Sequence, residues 1–381
     1  MSEYQHYEFL AIDRRLSREE IEALRLYSSR AEISPSRFSV VYNWGDFKGS
    51  PRDFMARYFD AHVYVSNFGT STLMLRLPGE VLSTEEIMAY AGSGFDASKL
   101  GENWLFVWER EGDEPNYEWM EDEGWMAGLA PIREEIERGD YRALYIGWLR
   151  GVPLMVQDDD DIDSEAPPVP PGLAALTPAQ EALVEFLGVD KDLLEAAAQA
   201  SPQPEDSETV SGRMATWVNS FSVEEARRYL LLILEGKGKN VERQLRRAFT
   251  DATRPPSAAA AAAVSRAAGE LMEQADLVRE QRLKREEAER QKRAEEQRRL
   301  REKILLAMAA DFAAHWKLVE KAAGLGTASG YDEATRLLVD MAEAAALTNR
   351  KGEFFSRLAG FRETHVRRPA LIRRLDARKL R

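Results

Sequence analysis

From Ser257 to Ala323 the chain runs 67 residues with a single glycine, Gly269, and no proline. If that run is one helix it is about 100 Å long at 1.5 Å per residue, far longer than a globular domain of this size is wide. Its middle sets its character, because between Arg279 and Lys303 18 of 25 residues are charged. Such a composition cannot line a core, so the fold has to accommodate an extended, solvated helical element. Leu271 and Val278 stand one heptad apart, but Arg285, Lys292 and Arg299 occupy the next positions of that register, which specifies a coiled coil only weakly. Glu286 with Arg290, Glu289 with Arg293 and Glu295 with Arg299 are in the favourable Glu-first order, each pair contributing about 0.2–0.5 kcal/mol. Three readings follow: a charged spacer, a coiled coil with a second copy or another protein, or a helix that touches nucleic acid.

The charges either side of this element are unequal. The net charge is -13, but residues 1–150 carry 16 basic and 27 acidic side chains, and residues 151–200 carry 1 and 11. Residues 201–350 are nearly balanced, at 25 and 24, and residues 351–381 hold 10 basic and 3 acidic groups. The front is acidic and the tail basic, so the bulk charge does not exclude an anionic partner at the C-terminal end. With no cysteine and four histidines, disulfides, thiolate zinc sites, iron–sulfur clusters and a cysteine nucleophile are excluded, and no metal or cofactor is expected. The opening MSEYQHYEFLAIDRR has no basic segment followed by an apolar one, and no stretch approaches 18 consecutive apolar residues. A soluble cytoplasmic protein without a membrane association is the expectation.

Residues 157–175 contain QDDDDIDSEAPPVPPG, with four consecutive Asp and four Pro, and read as an acidic, polyproline-like or mobile linker. An EF-hand at Asp158–Asp163 is ruled out, since the glycine at the sixth loop position and the glutamate at the twelfth are missing. Before the linker, residues 1–156 alternate with period two in several short segments. Phe38, Val40, Tyr42 and Trp44 share one face, as do Trp104, Phe106 and Trp108, and Leu73, Leu75 and Leu77. Further strands are expected at Tyr4–Ile12 and His62–Asn67, with helices opened by Ser17 and Glu20 and by Thr84. Interleaved strands and helices without long apolar runs predict an α+β domain with a largely antiparallel sheet.

Two strands end in an Asn-aromatic-Gly sequence, Asn43-Trp44-Gly45 and Asn67-Phe68-Gly69, where glycine can take positive φ and asparagine can bond the backbone. The bland reading is a pair of structural turns. The functional one gathers Asn43, Trp44, Asp46, His62 and Asn67 into a polar cluster at one end of the sheet that binds a small ligand or peptide. Catalysis would need a carboxylate of raised pKa in a deep pocket, with Asp46, Asp60 and Glu109 as candidates. No G-x-S-x-G, H-E-x-x-H, G-x-G-x-x-G or Walker sequence is present, and Gly236-Lys237-Gly238-Lys239 follows a helical run instead of a strand.

The second half reads as all-α: a small helical subdomain at 176–253 with capping signals at Thr177 and Ser222, the long charged helix or coiled coil at 257–323, and C-terminal helices at 324–381. Asp311 and His315 form a candidate Asp–His pair with no nucleophile nearby in sequence. Thr364–Arg381 is amphipathic and basic, with Arg367, Arg368, Arg373, Arg374 and Arg378 available for phosphates, for an acidic partner or for the acidic linker.

The run YNWGDF at Tyr42–Phe47, with YFDAHVYVSNFGTSTLMLRLP at Tyr58–Pro78 after YEFLAIDRRLS, resembles a family of uncharacterised bacterial proteins. ARRYLLLILEG, the charged helix and the tail RRPALIRRLD are similar in the same group. The tail also resembles the end of some bacterial SWIM zinc-finger proteins, but the zinc ligands of that motif are absent. The resemblance implies no catalytic residues. The expected function is a non-enzymatic interaction or adaptor protein with a protein partner, and with homo-oligomerisation through the long helix as an option. The alternative is an accessory nucleic-acid-binding protein acting through the basic end.

Overall fold

The computed structural model describes residues 4–79, 83–112, 124–157, 166–203, 207–253 and 267–380. Contacts divide the chain into two compact units, Met1–Glu280 and Gln281–Arg381. In the first, the period-two segments become strands: β1 (Gln5–Leu10), β3 (Arg37–Tyr42), β4 (Ala61–Ser66), β5 (Ser71–Pro78) and β7 (Asn103–Arg110). The short β2 (Glu32–Ile33) and β6 (Phe95–Leu100) complete one antiparallel sheet of order β2-β3-β1-β4-β5-β7-β6. The α+β fold with an antiparallel sheet is therefore present. The sequence pattern misses β6 because FDASKL has only two apolar residues on its inward face, Phe95 and Ala97, and alternation that short is indistinct.

Alternation puts a separate core on each face of the sheet. On one face Phe9, Phe38, Phe47, Phe54 and Phe59 are packed with Leu24 of α1 (Arg18–Arg25) and Met55 of α2 (Pro51–Arg57). Trp44, expected on the same face as Phe38, lies beyond the end of β3 and is 70% exposed. On the other face Val63, Val65, Leu73, Leu75, Phe106 and Trp108 lie under helices α4 (Trp125–Leu129), α5 (Pro131–Glu137), α6 (Arg142–Gln157), α7 (Pro178–Leu187) and α8 (Lys191–Ala198). Ser17 and Glu20 form the expected capping box. The helix α3 (Thr84–Met88) is capped by Ser83 with Glu86, one residue before the expected Thr84.

Helix α6 approaches the sheet at Gly147, where an added Cβ would come within 2.7 Å of both Phe95 Cβ and Trp108 Cδ1. The Trp108 indole N–H donates to the Ala143 carbonyl at 2.9 Å, so the ring has little freedom to yield. Gly147→Ala is therefore expected to destabilise by about 1–3 kcal/mol through overpacking, in spite of alanine's better helix propensity. Urea unfolding measures this, and an unchanged or raised midpoint would contradict it.

The proline-rich segment does not end the first unit. Asp158–Glu165 lies outside the described residues, but Ala166 and Leu173 are buried in the core that also holds Leu183, Leu193 and Trp108. Prolines lacking a donor can pack against a helical layer without leaving an N–H unsatisfied, so a segment unfit for helix or strand still joins the core. Of the expected subdomain at 176–253, α7 and α8 belong to the layer over the sheet. Only α9 (Ser207–Val218), α10 (Val223–Leu232) and α11 (Gly238–Thr253) lie outside that core.

The long charged helix is α12, Ala268–Ala310, with 43 residues against the expected 67. Residues 254–266 lie outside the described residues, and Asp311, at φ -134 and ψ 61, ends the helix and caps the next, α13 (Phe312–Gly324). The heptad pair Leu271 and Val278, with Ala275, is buried in the sheet-bearing core. Arg279 anchors the same stretch to Asp190 at 2.6 Å and Asp192 at 3.3 Å. Among the expected ion pairs, Glu289 meets Arg293 at 3.5 Å, whereas Glu286 pairs with Arg282 at 3.0 Å and Arg290 with Glu287. None joins Glu295 to Arg299 among the described residues; exposed long side chains exchange such partners at little cost.

The second unit adds α14 (Ala328–Leu347), α15 (Lys351–Thr364) and α16 (Pro369–Ala377) to α13 and the last turns of α12. Its core gathers Leu305, Trp316, Val319, Leu338, Met341, Phe354, Leu358 and Leu371. The basic tail is thus not one free amphipathic helix. It breaks after Thr364, and the apolar residues Leu371, Leu375 and Leu380 are already buried within this unit.

Candidate functional site

The antiparallel register places Gln5 opposite both Tyr42 and Ser66, which brings the two Asn-aromatic-Gly turns to one end of the sheet. Gly45 and Gly69 take φ of +77 and +86, the left-handed conformation that these turns require. Gln5, which sequence reasoning missed, is the hub there. Its Oε1 accepts from the hydroxyls of Tyr7 at 2.8 Å and Tyr64 at 3.2 Å, and its Nε2 donates to Asp46 at 3.2 Å. Asn67 is buried and its Oδ1 accepts the Tyr4 backbone N–H at 2.9 Å. Burial pushes the Tyr7 and Tyr64 hydroxyls above their ordinary range, in Tyr7 with added repulsion from Tyr64 and Asp46. Both remain neutral hydrogen-bond donors at neutral pH. Asn43 and Trp44 are exposed on the turn itself. The cluster therefore consists of a satisfied structural network with one outward aromatic.

His62 does not join it. Opposite Phe9 in the register, it is 1% exposed and stacks on that ring at 4.0 Å. Its Nδ1–H donates to the Glu8 carbonyl at 2.9 Å, which sets a neutral tautomer because a carbonyl can only accept. Burial lowers its pKa to about 4, against the opposing pull of the Glu8 carbonyl. A histidine inside a period-two strand carries no sequence mark of whether its face is core or solvent.

The candidate carboxylates also separate. Asp60 is fully buried, and its carboxylate accepts the N–H groups of Ile12 at 2.6 Å and Asp13 at 2.9 Å while pairing with Arg76 at 2.5 Å. Burial alone would raise its pKa; the Asp13 N–H, Arg76 and the Ile12 N–H outweigh burial and hold it below the usual carboxylate range. Arg133 extends the network by donating to the Arg76 carbonyl at 2.8 Å and pairing with Asp13 at 2.7 Å. Glu109 is raised by burial and by its neighbours Glu111 and Asp96, and residues 113–123 lie outside the described residues. The Asp311 carboxylate caps Ala314, and His315 bonds the Asp311 backbone carbonyl, so the candidate Asp–His pair is a helix-start motif.

At the basic end, Arg368 donates to the Ala323 carbonyl and Arg374 pairs with Asp332 at 2.6 Å. Arg373 is exposed and reaches the Pro369 carbonyl of its own helix, and Arg367 and Arg378 are exposed. Three of the five expected arginines thus face outward.

A different feature stands out in residues 207–253. Trp217 packs edge-on against Phe221 at 4.6 Å and Phe249 at 5.6 Å, tying α9 to α11. Beside these rings lies a cleft of about 440 Å³ lined by Met214, Trp217, Val218, Ile233, Leu245 and Phe249. Glu242 and Arg246, also at the cleft, bond each other at 2.9 Å. None of the candidate carboxylates Asp46, Asp60 or Glu109 borders it. Sequence reasoning placed helices here without the cleft; the signal available was ARRYLLLILE, whose consecutive apolar residues exceed what one helix face can bury.

Comparison of the chain with protein-family models, with curated proteins and with solved structures finds no match. Among the described residues no group of three or more His, Asp or Glu is placed to hold a metal ion, and no helix is long and apolar enough to cross a membrane.

Proposed function

We propose that this chain is a non-enzymatic, cytoplasmic interaction protein, an adaptor whose partner inserts apolar side chains into the cleft of α9–α11. The observation that carries this reading is the cleft itself. Its volume, about 440 Å³, falls in the range of clefts that bind ligands, yet its polar lining residues Glu242 and Arg246 are spent on one another. A small molecule would need several convergent polar groups to orient it, whereas the apolar face of an amphipathic helix needs only a greasy groove.

The test is affinity capture of the tagged full chain from native extract at mild salt, alongside Val218→Asp, a substitution at a half-exposed cleft residue. The expected result is a protein retained by the wild type and reduced at least about tenfold by Val218→Asp, whose introduced carboxylate would be desolvated without a partner, while the urea midpoint stays unchanged. Recovery of the chain alone, or equal capture by the variant, overturns the reading. Co-purified nucleic acid that is released by salt and lost when Arg367, Arg373 and Arg378 are replaced by alanine would favour the alternative, phosphate binding at the basic end.

A further inference from the structure

Helix α10 buries none of its residues, although Val223, Leu230, Leu231 and the following Leu234 are large and apolar. Leu230 and Leu231 are each 60% exposed and Leu234 is 83% exposed, and none of the three lines the cleft. Arg227, Leu230 and Leu231 follow the i, i+3, i+4 spacing of one stripe on α10, and Leu234 continues it in the π-helical turn Ile233–Lys237, where Gly236, at φ +82, turns the chain away. A short helix gains its stability mainly by covering such a stripe, so this one calls for a cover.

We infer that the cover is the same helix of a second copy of this chain, packed antiparallel about a two-fold axis near Leu231. The charge pattern selects that occupant. Antiparallel pairing centred on Leu231 sets Leu231 against its own counterpart and Arg227 against Glu235 of the second copy. Parallel pairing would instead set Arg227 on Arg227 and Glu235 on Glu235. Arg227 has no ion-pair partner among the described residues, and Glu235 holds only the exposed Lys237, at 2.9 Å, a pair that solvent already weakens. A stripe whose two ends carry opposite charges is complementary to itself under a two-fold rotation, which is the requirement of an isologous contact. Leu230, Leu231 and Leu234 do not line the cleft, although the neighbouring Ile233 does, so self-association and partner docking are read by different side chains.

The association is weak, because one short stripe from each copy buries less than a standard interface, and a dissociation constant of about micromolar or higher is expected. Sedimentation velocity of the full chain from about 1 to 200 µM measures it. The expected result is a mass rising from one chain towards two over this range. Leu231→Glu and Leu234→Glu should each weaken association at least about tenfold, with helical content and urea midpoint unchanged since both side chains are already exposed. Arg227→Glu and Glu235→Arg should each weaken it, and the two together should restore it, because the exchanged charges meet again across the axis. A mass of one chain throughout, an association indifferent to Leu231→Glu, or a double exchange no tighter than either single one would overturn the inference. The first two would leave the docking cleft untouched, so they do not bear on the adaptor reading.

Discussion

Asp60→Ala is expected to cost about 3–5 kcal/mol of folding stability, the range found when one partner of a buried ion pair is removed. Three losses coincide at this residue. The N–H groups of Ile12 and Asp13 lose their acceptor where the chain leaves β1, and the Arg76 guanidinium, only 16% exposed, loses its counter-ion. Asp13 in turn holds Arg133, which also donates to the Arg76 carbonyl, so the damage reaches α5. Much of the cost lies in the stranded cation, so adding Arg76→Met to Asp60→Ala should recover part of it. Urea midpoints at constant slope measure both effects, and a loss below about 1 kcal/mol for Asp60→Ala would refute the account. Because the folded pKa of Asp60 is depressed, its contribution is complete above the unfolded carboxylate value, about 3.9, and is lost as pH falls through the folded value.

His62 governs a different and higher window. Its pKa is about 4 when folded and about 6.5 when unfolded, so between those values the unfolded chain binds the proton more readily. Stability therefore falls as pH is lowered from about 6.5 towards 4, by about 3 kcal/mol over the whole interval from this residue alone. His62→Phe keeps a planar ring for the stack on Phe9 and has no proton to bind. It should be less stable at pH 7 by about 1 kcal/mol for the lost bond to the Glu8 carbonyl. It should also lose about 2–3 kcal/mol less than the wild type between pH 7 and pH 4.5. Urea unfolding of both proteins at the two pH values decides the matter, and equal losses would rule His62 out as the acid-sensitive group.

The parts of the fold that were legible in the sequence are those set by near neighbours. Period-two alternation located β1, β3, β4, β5 and β7; Ser17 and Ser222 opened helices with the capping boxes their spacing predicts, and Thr177 opened one ahead of Pro178 as its cap-then-proline order predicts. The Asn-aromatic-Gly turns took positive φ at Gly45 and Gly69. The candidate site was less legible. The expected cluster of five divided into exposed turn residues, Asn67 bonded to Tyr4, and a core histidine, and its hub proved to be Gln5. Arg368 and Arg374 are engaged within the second unit because carbonyl and carboxylate partners at Ala323 and Asp332 come from its other helices.

The amino-acid sequence by itself determined the alternation of strand and helix, the solvated middle of α12 and the exclusion of thiol chemistry. These depend on which residues stand two, three or four positions apart, and on what is absent. Tertiary structure alone decided which apolar faces found a cover. Leu271 and Val278 obtained one from the sheet-bearing core, and Ala166 and Leu173 were drawn into it across a segment of prolines. Leu230, Leu231 and Leu234 obtained none among the described residues. Burial is conferred by residues far away in the chain, as when Ser71 bonds the Phe186 carbonyl or Arg133 bonds Asp13, and no local pattern records such a partner.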